Sequence, residues 1–536
     1  MLARLAVAAL LASATITAVA PNPASDGDAG EFVAVTFDEP TNTTGWTLAD
    51  GDSAAALPNR TLSGTVALAT RPAAARNRTE HPVVALNGSL ALANGGETVA
   101  LRAENRTVDE LAYADAPTAE RWDGDAWTPL GASAFAPLAA KNVSVTAFAL
   151  PDAAGPPLDV LEAADRRLYL AGYTFTSARA TRALVAAAER GVDVRVLVEG
   201  GVAGGAPSPE DQRLDALRAA GVDVRVLDGE RARYSFHHAK YAVADDRAVV
   251  LSENWKPSGT GGHGNRGWGV TVEDARIADY LGRVFRDDVG WADAKPWRAV
   301  RENFTVVDGE PATDSYPTRF PAVDAEADRV RVLVAPDNAR AGVRDLIQSA
   351  DESLVVEQAS LDPNSAFTNW TIDAARRGVR VRVLLSGKWY ARDGNRNTTD
   401  RLNRVAAAEG LNLDARLVEP RSRFEKVHAK GAVVDGERAL VGSLNWNEHA
   451  ATENREVVVV VGDDAVARHF QRVFRADWRG GAWRLPLLLA VAVAAAAVFA
   501  VGCVGRVQFG ADNGVGRGGF WQEEQRENAG RGDEPD

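Results

Sequence analysis

The chain has 536 residues, which is too long for one ordinary domain and predicts two or three domains with substantial cores. Its 60 basic and 73 acidic residues give a formal net charge of -13, which gives no support for broad electrostatic capture of a polyanion by the whole surface. The single cysteine, Cys503, excludes any intrachain disulfide, so stability must come from packing.

The basic residues are seven lysines and 53 arginines, in a chain rich in Ala, Asp and Glu. This composition resembles that of proteins from salt-loving archaea, whose acidic surfaces stay hydrated in brine. At salt near 1 M the Debye length is only about 3 Å, so contact chemistry rather than net charge decides what binds. The acidity therefore does not exclude a phosphate-bearing substrate.

Both ends carry segments typical of membrane targeting. Residues 1–14, MLARLAVAALLASA, combine a positive charge, a short apolar run and small residues, which indicates a secretory signal; a buried strand or helix is the alternative. Residues 485–505 are uncharged and long enough to cross a bilayer of about 30 Å, with a buried core helix as the alternative. A polar tail, 506–536, follows, and its Arg506 and Arg517 weakly favour a cytoplasmic location.

Asn-x-Ser/Thr sequons lie only on the N-terminal side of the apolar span. They begin at Asn42, Asn59, Asn77, Asn87, Asn105, Asn142, Asn303, Asn369 and Asn397. This distribution favours a glycosylated ectodomain at the cell surface, held by a C-terminal transmembrane helix.

Residues 15–120 are short alternating or apolar runs separated by Gly, Asn, Asp and Pro, a pattern that predicts a small β-sandwich. The order of PNP, GEFV, GWTL and a GGETV-to-VDE hairpin resembles the lamin-tail domain. The resemblance implies an immunoglobulin-like sandwich, which would serve here as an adhesion or spacer module or as a purely structural one.

Strands and helices alternate from residue 144 onward, and the alternation occurs twice. AAERGVDVRVLVEG parallels AARRGVRVRVLLSG, with glycines at 191 and 378 where a helix should end. Two homologous α/β lobes are therefore predicted, over 144–298 and 325–480. They are joined by a linker, 299–324, rich in Pro, Asp and Thr. Such a duplication suggests a pseudo-two-fold arrangement with paired motifs face to face.

Each lobe contains one copy of the pattern H-x-K-x-x-x-x-D. The copies are His238, Lys240 and Asp245, and His428, Lys430 and Asp435. Because strand side chains alternate, the His and Lys of one copy point to the same face and can reach one ligand. The aspartates occupy positions that hairpin turns favour, so a structural role is equally consistent with the pattern.

A second strand returns after each motif and ends in Ser-x-Asn. These residues are Ser252 and Asn254 in the first copy and Ser443 and Asn445 in the second. Each lobe thus offers an imidazole, an ammonium, an amide and a hydroxyl at its strand ends. The serines could instead satisfy local backbone groups. Lys and Asn are poor companions for zinc, so no metal site is predicted.

By these residues the chain resembles the phospholipase D superfamily over both lobes. The resemblance implies two α/β/α lobes with one active site between them, no metal or other cofactor, and a covalent phosphohistidine mechanism. It favours His238 as nucleophile and His428 as general acid and base. The two lysines and two asparagines, with the serines, would surround the phosphate charge in place of a metal.

One departure from the superfamily pattern concerns the carboxylate that orients the motif histidine. Glu456 occupies that position in the second copy, whereas the first copy has Gly267. The first site is therefore expected to have weaker support, or a substitute such as Glu253.

The membrane segment favours a phospholipid substrate, hydrolysed by a monomer that contains both half-sites. Extracellular nucleic acid cleaved by a nonspecific nuclease of the same superfamily is one alternative, and a noncatalytic surface-binding protein is another. Aromatic residues flank the motifs and could line either an acyl or a base-stacking pocket: Phe236, Trp255, Trp268 and Trp446. The sequence does not determine how far Trp389 lies from them.

Overall fold

The computed structural model describes residues 14–480, apart from 24–25, 77, 105, 229–232, 310–315, 317 and 419–422. The predicted membrane segment and polar tail lie outside these described residues, as does the predicted signal segment apart from Ala14. No helix within the described part of the chain is long and apolar enough to cross a membrane. The asparagines of the sequons are exposed wherever they are described.

Two facing sheets form the N-terminal region. Its strands are β1 Ala14–Ala20, β2 Phe32–Asn42, β3 Trp46–Ala49, β4 Ala54–Ala56, β5 Thr61–Ala69, β6 Val83–Ala85, β7 Gly96–Ala103, β8 Arg106–Ala114, β9 Glu120–Trp122 and β10 Trp127–Pro129, with a 3-10 turn Asp26–Asp28 and a short helix α1 Pro72–Ala75. The strand orders are β10-β9-β1-β2-β5-β6 and β4-β3-β7-β8. Alternate residues such as Val33 and Val35 of one sheet meet Leu48 and Leu101 of the other in a shared core. This is a β-sandwich.

The remaining elements form the two α/β lobes. The first contains β11 Leu138–Leu150, α2 Pro156–Glu162, β12 Arg167–Gly172, α3 Ala178–Glu189, β13 Asp193–Glu199, β14 Ala206–Pro207, α4 Glu210–Ala219, β15 Asp223–Leu227, β16 Tyr241–Ala244, β17 Arg247–Leu251, β18 Gly267–Glu273, α5 Ala275–Gly290, β19 Ala294–Pro296, α6 Trp297–Val300 and β20 Val306–Val307. The second contains β21 Val323–Ala335, α7 Ala339–Gln348, β22 Ser353–Gln358, α8 Ala366–Arg376, β23 Arg380–Leu385, α9 Trp389–Glu409, β24 Leu413–Leu417, β25 Lys430–Val434, β26 Arg438–Gly442, α10 Glu448–Thr452, β27 Glu456–Gly462 and α11 Asp464–Trp478.

One continuous sheet of 15 strands runs through both lobes, in the order β19-β15-β13-β12-β16-β17-β18-β11-β21-β27-β26-β25-β22-β23-β24. The long strands β11 and β21 pair antiparallel at its centre. Outward from this pair the two halves repeat the same succession of strands, apart from the extra edge strand β19. The duplicated sequence therefore folds with pseudo-two-fold symmetry, which places the two motif strands β16 and β25 on opposite sides of one seam.

Helices cover both faces of this sheet. Helices α5 and α11 pack on one face, over a core that includes Val145, Phe285, Val459 and Phe470. On the other face α2 to α4 cover the first lobe and α7 to α9 the second. A strand buried on both faces reads as a continuous apolar run, and β27, EVVVVVG, has that pattern.

The glycines at the predicted helix ends have the backbone conformation that such ends require. Gly191 follows α3 with φ 88°, and Gly378 follows α8 with φ 97°. At the opposite ends, α5 and α11 begin after Asp274 and Asp463, whose carboxylates accept hydrogen bonds from the first free backbone N–H groups. Local sequence thus determines where these helices begin and end.

Two buried arginines connect the lobes at equivalent positions. Arg455 of the second lobe donates to Asp288 of α5 at 2.8 Å and to Asp337 at 3.0 Å. Arg266 of the first lobe lies 2.7 Å from Asp477 of α11. It also contacts Asp152 at 2.5 Å. Burial alone would lower the pKa of Arg455, but Asp288 and Asp337 raise it above its usual value. Arg455 and Asp288 therefore both stay charged.

We predict that Arg455→Ala lowers the free energy of unfolding by about 3–5 kcal/mol, because it leaves two buried carboxylates without their partner. Equilibrium urea unfolding of the full chain measures this. Arg344→Ala is the matched control, because Arg344 pairs with Asp345 at 3.0 Å on the surface and its loss should cost below about 1 kcal/mol. Equal effects of the two substitutions would contradict a locking role for Arg455.

Candidate active site

The two motif histidines are each attached to the opposite lobe by their backbone. His238 N donates to Arg455 O at 2.9 Å, and His428 N donates to Arg266 O at 2.9 Å. Isolated parallel bridges at His237–Arg455 and Arg266–Val427 repeat the same crossing. The segment before each motif strand therefore lies along the Asn-Arg segment of the other lobe, which brings both motifs to the seam.

The carboxylate partners of the histidines also cross between lobes. His238 Nδ1 lies 2.9 and 3.0 Å from the two oxygens of Glu456, which follows the second motif. His428 Nδ1 lies 3.4 Å from Glu253 Oε1, a charge contact that is longer than a well-formed hydrogen bond. The assignment of Glu456 to the histidine of its own copy was therefore wrong. Glu456 pairs with His238, and Glu253 pairs with His428.

Gly267 leaves the space that Glu253 occupies. A Cβ atom at residue 267 would come within 2.2 Å of Glu253 Cγ, so any larger residue there would displace this side chain. Glu253 is fully buried, and its Oε2 accepts a hydrogen bond from Asn265 at 3.0 Å. In the other half, Asn454 donates to Glu456 Oε1 at 3.2 Å. The first copy has thus moved its carboxylate from position 267 to position 253.

The motif lysines lie beneath the histidines. Lys240 donates to His238 O, and Lys430 donates to His428 O at 2.9 Å. Lys430 Nζ also lies 3.5 Å from Ser252 O of the first lobe. Burial lowers the pKa of Lys240 well below its usual value and that of Lys430 to about 8, although Glu253 and Glu456 oppose the shift. An arriving anion would favour the charged form of both lysines.

Burial also lowers the pKa of both histidines. The pKa of His238 falls to about 4, with Lys240 and Lys430 adding to the effect of burial and Glu456 opposing it. The pKa of His428 falls to about 3, where Lys430 adds to burial and Glu253 opposes it. The rings keep 13% and 16% exposure, so solvent reaches them. Both imidazoles are therefore neutral near pH 7 when no anion is bound, and each feels charges from both lobes.

The asparagines of the Ser-x-Asn segments have side-chain oxygens that lack a partner in the described part of the chain. Asn254 Oδ1 and Asn445 Oδ1 are buried and have no hydrogen-bond partner among the described residues. A buried amide without a partner is a group that a ligand can satisfy. A phosphoryl oxygen is itself an acceptor, so a contact with phosphate would have to use the Nδ2–H donors of these asparagines rather than the Oδ1 atoms.

The serines are placed differently from the prediction that they bind phosphate. Ser252 Oγ accepts a hydrogen bond from Trp268 N at 2.9 Å, and Ser443 Oγ accepts one from Val457 N at 3.0 Å. Both side chains are fully buried. Each serine thus completes the hydrogen bonding between two adjacent strands, because it accepts from a backbone N–H that would otherwise lack a partner. The Ser443 hydroxyl also donates to Val457 O at 3.4 Å.

The motif aspartates were predicted as catalytic, and the structure places them in hairpin turns at the far ends of the motif strands. Asp245 accepts backbone N–H groups from Asp165, Arg166 and Arg167. Asp435 accepts those of residues 351 to 353. Both residues are left-handed, with φ 52° and 56°, which Asp tolerates better than most residues. Their function is structural.

We predict that Asp435→Ala lowers the free energy of unfolding by about 1–3 kcal/mol, because three amides lose their acceptor. Asp435→Asn keeps one acceptor oxygen and tolerates the left-handed backbone, so it should cost less. Urea unfolding gives the stability, and kcat/KM per folded molecule gives the activity. The kcat/KM of both Asp435 variants is expected to stay within a few-fold of the wild-type value. A loss as large as that of a histidine variant would instead indicate a catalytic role for Asp435.

Three of the four aromatic residues proposed to line the pocket are core residues. Trp255, Trp268 and Trp446 are fully buried. Phe236 is partly exposed and meets the Tyr173 ring at 5.9 Å. Tyr173, which sequence reasoning missed, lies edge-on to His238 at 5.0 Å. Its only sequence signal is its position directly after β12, at the strand end that faces the motif.

The described residues contain no group of three or more His, Cys, Asp or Glu side chains arranged to hold a metal ion. The ionisable groups at the seam are instead two His–carboxylate pairs with two lysines. An α/β protein with two symmetric lobes and this paired arrangement has the fold and site of a phospholipase D-like enzyme.

Comparison with known proteins identifies the family. The family described as "Cardiolipin synthase, PLD-like domain" matches residues 158–289 and 343–478, which together make half of the chain. The chain therefore belongs to this family of the phospholipase D superfamily.

The individual proteins to which this chain is similar share between 14% and 33% sequence identity with it. Cardiolipin synthase B of Escherichia coli (strain K12) is 26% identical over 313 residues, covering 56% of this chain and 69% of that protein. Mitochondrial cardiolipin hydrolase of Xenopus tropicalis is 33% identical over 103 residues, 19% of this chain and 44% of that protein. The crystal structure of phosphatidylserine synthase of Haemophilus influenzae is similar with a TM-score of 0.46 and 14% identity, over 61% of this chain and 84% of that one.

Proposed function

We propose that this protein hydrolyses the phosphodiester bond of a phospholipid through a covalent phosphohistidine on His238. The observation that carries the proposal is the crossed pairing of His238 with Glu456 and of His428 with Glu253, with Lys240 and Lys430 beside them. Two neutral imidazoles held at one seam suit a reaction that needs one nucleophile and one proton carrier.

His238 is the better nucleophile of the two. Its Nδ1–H is held by both oxygens of Glu456, which leaves the Nε2 lone pair to attack phosphorus. As the P–N bond forms, the imidazole gains positive charge, and the adjacent carboxylate stabilises it. His428 is held less tightly by Glu253, at 3.4 Å, which suits a ring that must gain and lose a proton.

His428 serves first as acid and then as base. It donates a proton to the departing alkoxide oxygen as the P–O bond breaks, and then removes a proton from the water that attacks the phosphohistidine. The P–N bond breaks, His238 recovers its lone pair and His428 its proton. The negative charge of a bound phosphodiester raises the pKa of His428 from its value of about 3 in the free site, so that the ring takes up a proton from solvent on substrate binding and then donates it to the leaving oxygen.

The lysines and asparagines stabilise the charge that develops on the phosphoryl oxygens. The ammonium groups of Lys240 and Lys430 lie beside the two histidines, and the Nδ2–H groups of Asn254 and Asn445 would donate to the phosphoryl oxygens. Preorganised donors of this kind replace a metal ion as the electrostatic stabiliser. The mechanism requires no cofactor.

Phospholipid is the substrate class that we favour, because relatives named cardiolipin synthase and cardiolipin hydrolase match this chain. Hydrolysis rather than transfer to an alcohol, and action as a monomer, are part of the proposal. The proposal also includes the location, in which the lamin-tail-like domain and the catalytic lobes lie outside the cell. The N-terminal segment exports the protein, which is glycosylated and is anchored by residues 485–505.

The test offers vesicles of phosphatidylglycerol and supercoiled plasmid side by side to the full chain, with EDTA present. Release of phosphatidic acid from the vesicles supports the proposal. Nicking of plasmid without lipid turnover would establish the nuclease alternative, and loss of all activity on adding EDTA would indicate a metal-dependent reaction. Added ethanol separates transfer from hydrolysis, because transfer to ethanol yields phosphatidylethanol, a new phosphodiester.

A further inference from the structure

Two neighbouring aromatic side chains stand out on the surface. Among the described residues, the exposed large apolar side chains are Val307 at 45%, Trp389 at 73% and Tyr390 at 48%. Trp389 and Tyr390 open helix α9, and their rings meet edge to face at 5.8 Å. A tryptophan is among the most costly residues to leave in water, so an exposed aromatic pair indicates a surface that something covers.

The pair lies on the edge of the sheet that carries the active site. Strand β23, which ends just before it, runs parallel to β22 with Leu385 beside Gln358. Gln358 in turn pairs with Lys430 of the second motif. The strand end that precedes Trp389 is therefore two strands from Lys430, about 10 Å along the sheet.

Contacts connect the pair to the segment that leads directly into His428. Lys388 Nζ lies 3.0 Å from Glu425 Oε1. Lys426 Nζ lies 5.2 Å from the centre of the Tyr390 ring. Residue 426 precedes His428 by two positions, so the aromatic pair borders the entrance to the site.

The same region concentrates positive charge in an acidic protein. The chain has only seven lysines, and five of them lie at or beside the site: Lys240, Lys256, Lys388, Lys426 and Lys430. Lys426 and Lys256 are close enough to lower the pKa of Lys430, which records their positive field at the site. The whole chain carries a net charge of -13, so this group of lysines is a local positive feature that suits contact with an anionic surface.

The described chain also ends at this edge. Asp477, near the end of α11, pairs with Arg266 beside the motif. The next residue, Trp478, lies 4.2 Å from the Arg416 guanidinium, and Arg416 neighbours Leu384 of β23.

We propose that Trp389 and Tyr390, together with the partly exposed Lys388, form a docking surface for a bilayer of anionic phospholipid. This inference rests on the proposed function and adds how the substrate reaches the site. Trp and Tyr rings settle at the headgroup level of a bilayer, and neighbouring lysines contact lipid phosphates. Docking there presents headgroups to the seam between the lobes.

The first test compares turnover of two substrates by the full chain. Trp389→Ala/Tyr390→Ala should lower turnover of phosphatidylglycerol vesicles by about tenfold or more, because two interfacial anchors are lost. Turnover of the soluble diester bis(p-nitrophenyl) phosphate should stay within about twofold, because the pair lies outside the catalytic groups. Val307→Ala is the matched control and should leave both rates unchanged. Equal losses on both substrates, or no loss on either, would overturn the docking surface.

The second test does not depend on catalysis. Ala391→Cys in a His238→Ala/Cys503→Ser background places an environment-sensitive dye beside the intact pair, and Val307→Cys in the same background is the control. Phosphatidylglycerol vesicles should shift the emission of the dye at 391 to shorter wavelength, more than phosphatidylcholine vesicles do, with no shift at 307.

Absence of the shift, or a shift with single-stranded DNA in place of vesicles, would overturn the inference. A wild type that binds vesicles through this surface but cleaves neither substrate would instead refute the proposed function and leave the docking surface standing. The two proposals can therefore fail separately.

Discussion

Replacing His238 with alanine is expected to lower kcat/KM for bis(p-nitrophenyl) phosphate by at least about 10³-fold, because the nucleophile is removed. His428→Ala is expected to behave differently on this substrate. Nitrophenolate leaves without being protonated, so the first step survives, while the second step loses its base. This variant should release about one nitrophenolate per enzyme in a burst and then stall, with a p-nitrophenylphosphoryl group trapped on His238.

Rapid-quench measurement of the burst, with mass spectrometry of the trapped protein, checks both expectations. His81→Ala, in the β-sandwich, is the control and should keep wild-type rates. A burst in His238→Ala instead of His428→Ala would reverse the two roles. Wild-type activity in both variants would establish the noncatalytic alternative.

Glu456→Gln is expected to lower kcat/KM by about 10²–10⁴-fold, because the histidine loses the carboxylate that orients it and stabilises its positive charge. Glu253→Gln should have a smaller effect, since its contact with His428 is 3.4 Å rather than 2.9 Å. The ratio of these two losses, measured on the soluble diester, tests the crossed pairing. A larger loss for Glu253→Gln would mean that His428 depends more on its partner.

The pH profile separates orientation from simple loss of structure. The nucleophile must be neutral, so activity should fall as the pH drops through the pKa of His238, about 4. Glu456 raises that pKa against the effect of burial, so removing its charge lowers the pKa further. The acidic limb of kcat/KM in Glu456→Gln should therefore move to lower pH, whereas a variant that is only less stable would keep the wild-type limb.

A double substitution tests the moved carboxylate directly. Gly267→Glu alone should disrupt the site, because its Cβ would collide with Glu253 Cγ. Gly267→Glu/Glu253→Ala clears that space and returns a carboxylate to the position where the second lobe has Glu456. The double variant is expected to be more active than either single variant. Activity no higher than that of Gly267→Glu would contradict the idea that a carboxylate at position 267 can replace the one at position 253.

Much of the fold is determined locally and is readable from the sequence. The alternation of apolar residues predicts the strands, the glycines at 191 and 378 predict helix ends, and the duplicated motifs predict two equivalent lobes. The family prediction, which rests on the same motifs, is confirmed.

Several assignments failed because they depend on contacts that sequence spacing does not encode. Asp245 and Asp435 belong to turns and accept backbone amides. Ser252 and Ser443 are used within the sheet. The sequence also did not predict the burial of Trp255, Trp268 and Trp446. A tryptophan beside a motif gives the same sequence pattern whether it faces the core or a cleft.

The sequence by itself determined the residue types proposed for catalysis, the strands that carry them and their duplication, because strand periodicity acts over a few neighbouring residues. Only the tertiary structure decided which carboxylate serves which histidine, since Glu456 and His238 are 218 positions apart and meet only through the pairing of β11 with β21. The same packing decided that Trp389 borders the site. Long-range proximity follows from how two lobes close on each other, and local patterns do not specify it.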